Sequence, residues 1–555
     1  MQMNQYVHKG YKNMCSTFLM FSLTWVLLLK VAKVNSAETK LHPLLHNHRH
    51  GNQHLLKNSI KKSLIEMVRP EQIHISFGEK INDMVVIWAS KKKIDEPYIE
   101  YGRDANLRKA TAEATQFEEA NKEGTKYWHR AYLSDLKDGQ QYFYRVNSGR
   151  GTGGVSEQLS FTVPSLKRNS IHSVMILADM GMSTKTLDFL VQEAVNGGYE
   201  AVIHIGDIAN DLHRGEGVIG DRYLKRIQKM AAQVPYMTCP GDQEKFQDYV
   251  HYRYRFSMPG SPWPMSYEKL WYSYNLGNAH FVVINTEVLC AENHKLKDAQ
   301  LSWLKNDLTI NNKEQRPKHP WIIMFGHKPM YASCNKEEEE CVKEQPALRK
   351  ELDDILFRYG VDLYIAGHQH NYERTWPVYR EKLFDEYNYK NPKGPVHLTI
   401  GSMGAEYHHE RFSKPGGKWS SFRYPGTEKE LFAKLDIINA SHLFWEVLSA
   451  SNNEKVDRIW IVQNSHGTFG EPGEGAFQRV KELRNIPVQP PLPAEDHSRY
   501  MAKLSRKKFY SRNTSQYGVH LSMIVTCAVA VVIGLMSWRI RKKLCVLCRI
   551  GTGGK

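Results

Sequence analysis

The chain has 555 residues, 41% of them hydrophobic, enough to bury more than one core, so two or three modules are expected. The formal net charge is +16, but much of the excess lies in Lys57, Lys61, Lys62 and Arg69, in the stretch 503–512, and in 539–543. Basic runs of that kind are solvated linkers or membrane-flanking anchors, so nucleic acid is not an expected partner.

In chain order, Lys9 and Lys12 precede an apolar run over 18–29 and then Val34-Asn35-Ser36-Ala37. The pattern predicts a signal peptide, residues 1–37, cut near Ser36 or Ala37; Lys30 and Lys33 leave a signal anchor as the alternative. Residues 38–68 hold His42, His46, His48, His50 and His54 at irregular spacing, a linker rather than a metal-collecting tract. Short alternating runs follow at 73–77, 84–88, 98–101 and 141–146, with a turn at Leu136-Lys137-Asp138-Gly139. They predict an all-β sandwich over 69–166 with no obvious catalytic group.

From Ser173 the pattern becomes α/β. Near-continuous apolar strands at 174–177, 201–205, 281–284, 321–324 and 361–365 alternate with amphipathic stretches at 296–308 and 347–359. Such strands suit sheets covered on both faces. Further strands at 396–400, 442–448 and 459–462 would complete a two-sheet sandwich over 170–475.

A Pro-rich, basic stalk over 476–519 leads to an uncharged apolar run that predicts a transmembrane helix at 520–538, with a cytosolic tail at 539–555. The expected topology is type I single-pass, with the folded body outside the cytosol at the cell surface or an endolysosomal membrane. The charged tail argues against a GPI signal. Cys545 and Cys548 would lie just inside the membrane, where palmitoylation and chance placement are both open. In the body, Cys334 and Cys341 flank an acidic loop and are the easiest pair to bridge, while a Cys239–Cys290 pairing would bear on the third motif below. Asn439 and Asn513 begin N-x-S/T sequons, which suit a glycosylated ectodomain.

Five short segments, each ending an apolar run, carry the chemistry: Asp179-Met180-Gly181, Gly206-Asp207-Ile208-Ala209-Asn210, Gly241-Asp242-Gln243-Glu244, Gly326-His327, and Gly367-His368-Gln369-His370. A lone Asp after a strand reads as a helix cap and a lone Gly-His as a turn. Three aspartates and three histidines in this order are what two metal ions sharing one bridging carboxylate require. Two such ions, about 3.5–4 Å apart, can clamp a phosphoryl group and activate a water between them.

These segments, with Arg255-Phe256-Ser257-Met258-Pro259-Gly260, resemble the purple acid phosphatases and their DxG, GDxxY, GNH(E/D), VxxH and GHxH motifs, over roughly residues 69–470. The resemblance implies an α/β two-sheet metallophosphatase sandwich behind a fibronectin-like domain, and a phosphate monoester substrate. It implies iron paired with zinc, iron or manganese, and a homodimer as one assembly. Asp179 and His370 would hold the first metal, His327, His368 and Asp242 the second, and Asp207 would bridge them.

The sequence departs from the family at three places. Asn210 stands where the family has an iron-binding tyrosine, so a neutral carbonyl replaces a phenolate and a trivalent ion is held less well; Asp211 is a candidate rescue ligand. Asp242 replaces an asparagine, keeping a ligand but adding negative charge. Gln243 replaces a histidine that can protonate the leaving group, which Gln cannot do at ordinary pH. Losing a general acid costs on the order of 10²–10⁴ in rate. His408 and His409 could compensate, although adjacent loop histidines are commonly surface residues. Two readings follow: a metal-dependent acid phosphatase of reduced or redirected activity, or a membrane-tethered pseudophosphatase acting as a binding ectodomain.

Overall fold

A computed structural model of the chain describes residues 66–469, apart from 118–125, 148–153, 168–169, 183–185, 210, 292, 334–342, 385–387, 404–411, 413–415 and 427–428. The N-terminal part is all β: β1 (Glu71–Phe77), β2 (Met84–Ser90), β3 (Tyr98–Gly102), β4 (Arg108–Phe117), β5 (Lys126–Leu133), β6 (Gln141–Asn147) and β7 (Leu159–Thr162), in the order β1-β2-β5-β4-β3-β6-β7. Strand β4 pairs with β3 through Arg108–Thr111 and with β5 from Ala112 onward, so it passes from one half of the sheet to the other. Trp88, Trp128 and Tyr144 fill the core.

The second part alternates strands and helices. Its elements are β8 (His172–Leu177), α1 (Leu187–Asn196), β9 (Ala201–Ile205), α2 (Val218–Ala231), β10 (Tyr236–Cys239), α3 (Phe246–Arg255), β11 (Tyr272–Leu276), β12 (Ala279–Val283), α4 (Thr286–Cys290), α5 (His294–Ile310), β13 (Trp321–Phe325), α6 (Gln345–Tyr359), β14 (Leu363–Ala366), β15 (Tyr372–Thr375), β16 (Val378–Tyr379), β17 (Lys382–Leu383), β18 (Val396–Ile400), β19 (Ser420–Arg423), β20 (Leu431–Ile437), β21 (His442–Ser449) and β22 (Lys455–Val462). Asn293 caps α5 by accepting from the Leu296 N–H, and Gly360 closes α6 in the left-handed region.

Two larger sheets result, ordered β10-β9-β8-β20-β21-β22 and β11-β12-β13-β14-β18-β15-β19, beside the short β16-β17 pair. Strands β8, β9 and β10 are parallel, as are β12, β13, β14 and β18. Every residue of β8, β9, β13 and β14 is buried, the consequence of their apolar runs. This is the architecture the motifs imply.

The N-terminal part is fastened to the α/β part by polar contacts from β1 and β6. Ser76 Oγ donates to Ser257 O at 2.6 Å, and His74 Nε2 lies 2.8 Å from Arg255 O. The Ile73 N–H donates to Gln228 Oε1 at 3.0 Å, and Tyr144 Oη donates to Ala232 O at 2.7 Å. These bonds brace the C-terminal ends of α2 and α3, the helices that follow the β9 and β10 loops.

Among the described residues no helix is long and apolar enough to cross a membrane. The expected signal (1–37), the linker up to residue 65, the stalk, the transmembrane segment (520–538) and the tail lie outside the described residues, as do Cys334, Cys341, His408, His409 and Asn513. Cys239 and Cys290 are both free thiols, so they do not form the pairing considered from sequence. Asn439 sits in the β20–β21 turn, 9% exposed, its Oδ1 accepting from the Ser441 N–H at 2.8 Å.

Candidate metal centre

The motif residues leave their strands on the same side of the molecule. Asp179 follows the end of β8, Asp207 that of β9, Asp242 that of β10, His327 that of β13, and His368 and His370 that of β14. Carboxyl ends of parallel strands are where α/β sheets collect ligands, because the loops there converge without crossing. Gly181 and Ala209 form an isolated parallel bridge, which locks the first two loops together.

Asp179, Asp207 and His368 have φ of 57°, 53° and 66°. Left-handed backbone at a non-glycine residue costs on the order of 1–3 kcal/mol and persists where neighbouring structure imposes it. The motif glycines allow the approach. A Cβ on Gly241 would overlap Asp207 Oδ1, and one on Gly367 would stand 2.7 Å from Asp179 Oδ2.

Asp207, Asp242, His327 and His368 each present a ligand atom, and all four atoms lie within 4.8 Å of one another. His327 Nδ1 lies 2.9 Å from the Ile205 carbonyl, an acceptor, which turns Nε2 inward, 3.2 Å from both Asp207 Oδ1 and Asp242 Oδ1. His368 Nδ1 is 3.1 Å from Asp242 Oδ1. A ring nitrogen committed to a fixed acceptor and its partner aimed at carboxylates is the arrangement of a metal-ligating imidazole.

The other half is formed by Asp179 and His370. His370 Nε2 lies 3.7 Å from Asp179 Oδ1, and Asp179 Oδ2 accepts the His368 N–H at 2.9 Å. Asp179 Oδ1 is buried and makes no hydrogen bond. An orphaned carboxylate oxygen in the interior is costly unless a cation satisfies it. The residues therefore fit a pair of metal ions: Asp207, Asp242, His327 and His368 for one, Asp179 and His370 with Asp207 for the other. Asn210, the third candidate on that side, lies outside the described residues.

The electrostatics agree with that fit. Burial pushes the Asp179 carboxyl well above its ordinary value, with His327 opposing and Asp207 adding. Burial likewise works against charge on His327 but is overruled by Asp207 and Asp242, which hold its pKa well above the usual imidazole value. Burial tends to raise Asp242, yet its bonds to His327 and His368 hold it far below the carboxylate range. Without an ion, protons on imidazole neutralise the carboxylates, and a metal must displace them to bind.

Three residues given no role from the sequence belong to the site. Glu244, 3% exposed, accepts from the N–H groups of Asp207 (2.9 Å), Ile208 (2.9 Å) and Gly241 (2.8 Å), so one carboxylate ties the β9 and β10 loops together. Its place as the last residue of the third motif was the available signal. Lys328 and Glu344 are the other two: Lys328 Nζ lies 2.5 Å from the Glu344 carboxylate, whose Oε2 is 3.8 Å from His368 Nε2, with no local signal beyond Lys328 following His327. Gln243 sits at the rim, its N–H donating to Asp207 Oδ1 at 3.2 Å and its Nε2 to Asp242 Oδ2 at 3.2 Å.

Comparison with known proteins agrees with this geometry. Residues 70–163 match the model of the purple acid phosphatase N-terminal domain, 172–372 that of the calcineurin-like phosphoesterases, and 394–458 that of the iron/zinc purple acid phosphatase-like protein C. Acid phosphatase type 7 of Danio rerio is 37% identical over 422 residues, covering 72% of this chain and 92% of that protein. Its Homo sapiens counterpart is 34% identical, with 72% and 92% covered. A protein of Arabidopsis thaliana named probable inactive purple acid phosphatase 9 is 29% identical, with 66% and 63% covered. The solved structure of purple acid phosphatase PPD1 from yellow lupin shares the fold, with TM-score 0.62 and 24% identity over 71% of this chain and 74% of that one. With its candidate metal ligands gathered on one side of a two-sheet α/β body and the acid phosphatase type 7 relatives matched over nearly their whole length, the chain belongs to the purple acid phosphatases, a family of binuclear metallophosphoesterases.

Proposed function

We propose that the protein is a metal-dependent phosphomonoesterase whose catalytic body works outside the cytosol, tethered by its C-terminal segment. The observation that carries this reading is the four-residue cluster in which Asp207 faces His327 while its loop is bridged to that of Asp179. A family site that had decayed would be expected to lose its histidines too, and His327, His368 and His370 are all in place. Two bound ions would supply charge neutralisation at the phosphoryl oxygens and a water of lowered pKa. The chain's own residues do the rest. Asp207 fixes the spacing of the two halves, His327 and His368 orient Asp242, and Gln243 presents an amide at the rim without a proton to transfer.

The second reading, a pseudophosphatase that binds a phosphorylated ligand or partner with little turnover, is favoured by Asp242 and Gln243, and some Arabidopsis relatives carry the words probable inactive in their names. The type I topology, iron paired with zinc, iron or manganese, homodimerisation and a glycan at Asn513 belong to the same proposal; Asn439, 9% exposed, is the poorer attachment point. The test is metal content by mass spectrometry on the secreted ectodomain, residues 38–515, paired with p-nitrophenyl phosphate hydrolysis across pH 4 to 8. The expected result is two metals and metal-dependent turnover. One metal or none, with turnover no higher than a His368→Ala control, would replace this reading with the pseudophosphatase.

A further inference from the structure

A chain of alternating charges runs behind the Asp242–His327–His368 half of the site. Lys245, in the short helix Gln243–Lys245, is paired with Glu287 of α4. Glu287 lies 3.8 Å from Lys328 Nζ, and Lys328 Nζ reaches both carboxylate oxygens of Glu344 at 2.5 Å. Glu344 Oε2 in turn stands 3.8 Å from His368 Nε2, whose Nδ1 faces Asp242. The Glu287 side chain is 0% exposed and that of Lys328 5%, so this is no solvated surface pair.

Burying the Lys328 ammonium and the Glu287 carboxylate, with Glu344 25% exposed beside them, carries a desolvation cost of several kcal/mol per buried ion, which hydrophobic packing would avoid. Its retention directly behind metal-ligand candidates calls for a reason. The backbone of Lys328 is itself fixed: its N–H donates to Thr286 Oγ1 at 3.0 Å and its carbonyl accepts from Tyr364 Oη at 2.7 Å. The ammonium is therefore delivered to one place, and it grips Glu344 through both oxygens.

We propose that Lys328 and Glu344 form a positioning pair: Lys328 anchors the Glu344 carboxylate 3.8 Å from Nε2 of His368, and its charge favours the ring orientation in which Nδ1 faces Asp242, where with His327 these residues would hold a metal. Ligating imidazoles hold their orientation through an acceptor on the other nitrogen, and losing that acceptor costs on the order of 10–100-fold in metal affinity. The inference rests on the reading of Asp242, His327 and His368 as metal ligands, and its test separates the two.

The experiment is zinc titration of the metal-free full-length protein against a chromogenic chelator, with the metal-free thermal midpoint recorded for each variant. Glu344→Gln and Lys328→Met are expected to weaken one of two zinc sites about 10–100-fold and leave the other unchanged. Lys328→Arg is expected to restore affinity to within about threefold, since guanidinium also pairs bidentately with carboxylate. In a His368→Ala background, Glu344→Gln should add nothing, because the pair acts through that ring. Wild-type zinc affinity in both Glu344→Gln and Lys328→Met overturns the proposal. So does a Glu344→Gln effect that persists without His368, or a weakening that merely tracks a lowered thermal midpoint. Failure of the wild-type protein to bind zinc at all overturns the metal-centre reading and this inference with it.

Discussion

Gln243 spends its side-chain amide on the neighbouring carboxylate, Nε2 donating to Asp242 Oδ2 at 3.2 Å, while its own N–H donates to Asp207 Oδ1. The residue to which the resemblance assigns the general-acid position is thus held on the two acids of the cluster and offers no transferable proton. Gln243→His is expected to raise turnover of alkyl phosphates by about 10²-fold, the lower end of what a positioned acid contributes. For p-nitrophenyl phosphate, whose leaving group needs little protonation, the gain should stay within about threefold. Parallel assays of the two substrates decide it; equal gains would contradict the role given to position 243.

Asp242 lies within 3.2 Å of both His327 and His368. Replacing it with Asn keeps an oxygen ligand and removes one negative charge from the phosphate's approach. Asp242→Asn is expected to strengthen inhibition by inorganic phosphate about tenfold, or about 1.4 kcal/mol, while weakening retention of one metal on dialysis. Unchanged phosphate inhibition would show that the charge is neutralised before it reaches the substrate.

Glu244 receives three N–H groups from two loops. Glu244→Gln would turn one acceptor into a donor facing donors, at a cost of about 1–3 kcal/mol for the unsatisfied group. The expected outcome is a lower thermal midpoint together with a metal affinity reduced at both halves, since Asp207 lies on the loop it holds. Differential scanning calorimetry and a chelator competition on the same preparation check both.

Three buried histidines bear on stability in acid. Burial pushes His74 down to about 4, and His204 and His397 down to about 3, from an ordinary value of 6.5. Each is neutral when folded and takes up a proton when unfolded below 6.5, so its stabilising share is complete above that pH. That share falls as the pH drops toward 3 or 4, by about 1.4 kcal/mol per pH unit per residue. His397 has neither ring nitrogen hydrogen-bonded and sits against Tyr331 and Tyr364 at 4.7 and 5.5 Å between ring centroids. His397→Phe is expected to fold and to flatten the fall of the thermal midpoint between pH 6.5 and pH 4.5. An unchanged slope would mean that the ring is hydrated in the folded protein.

In the second motif, the resemblance sets Asn210 at the position of the family's iron-binding tyrosine. Asn210→Tyr, reconstituted with iron(III), is expected to show a visible absorption band absent from the parent protein. A colourless variant carrying two metals would displace Asn210 from the first metal's surroundings.

The order and spacing of Asp179, Asp207, Asp242, His327, His368 and His370 were legible in the sequence because each ends an apolar run, and the parallel strands of the two sheets turn that linear fact into convergence at their carboxyl ends. The same runs disclosed strands such as β8, β9, β13 and β14, since strands buried on both faces leave unbroken hydrophobic text. What the sequence could not disclose lies in the contacts between loops. Glu244 is one more acid until the β9 and β10 loops bring three N–H groups to it. Lys328 and Glu344, sixteen residues apart, become a pair only when α6 sets its first turn beside His327 and His368. The left-handed φ of Asp179, Asp207 and His368 could not be read either, because aspartate and histidine, though enriched in that region, adopt it at only a few of their positions. Apolar periodicity is a property of each segment alone and can be read along the chain; partner, tautomer and strain are properties of pairs, which folding alone determines.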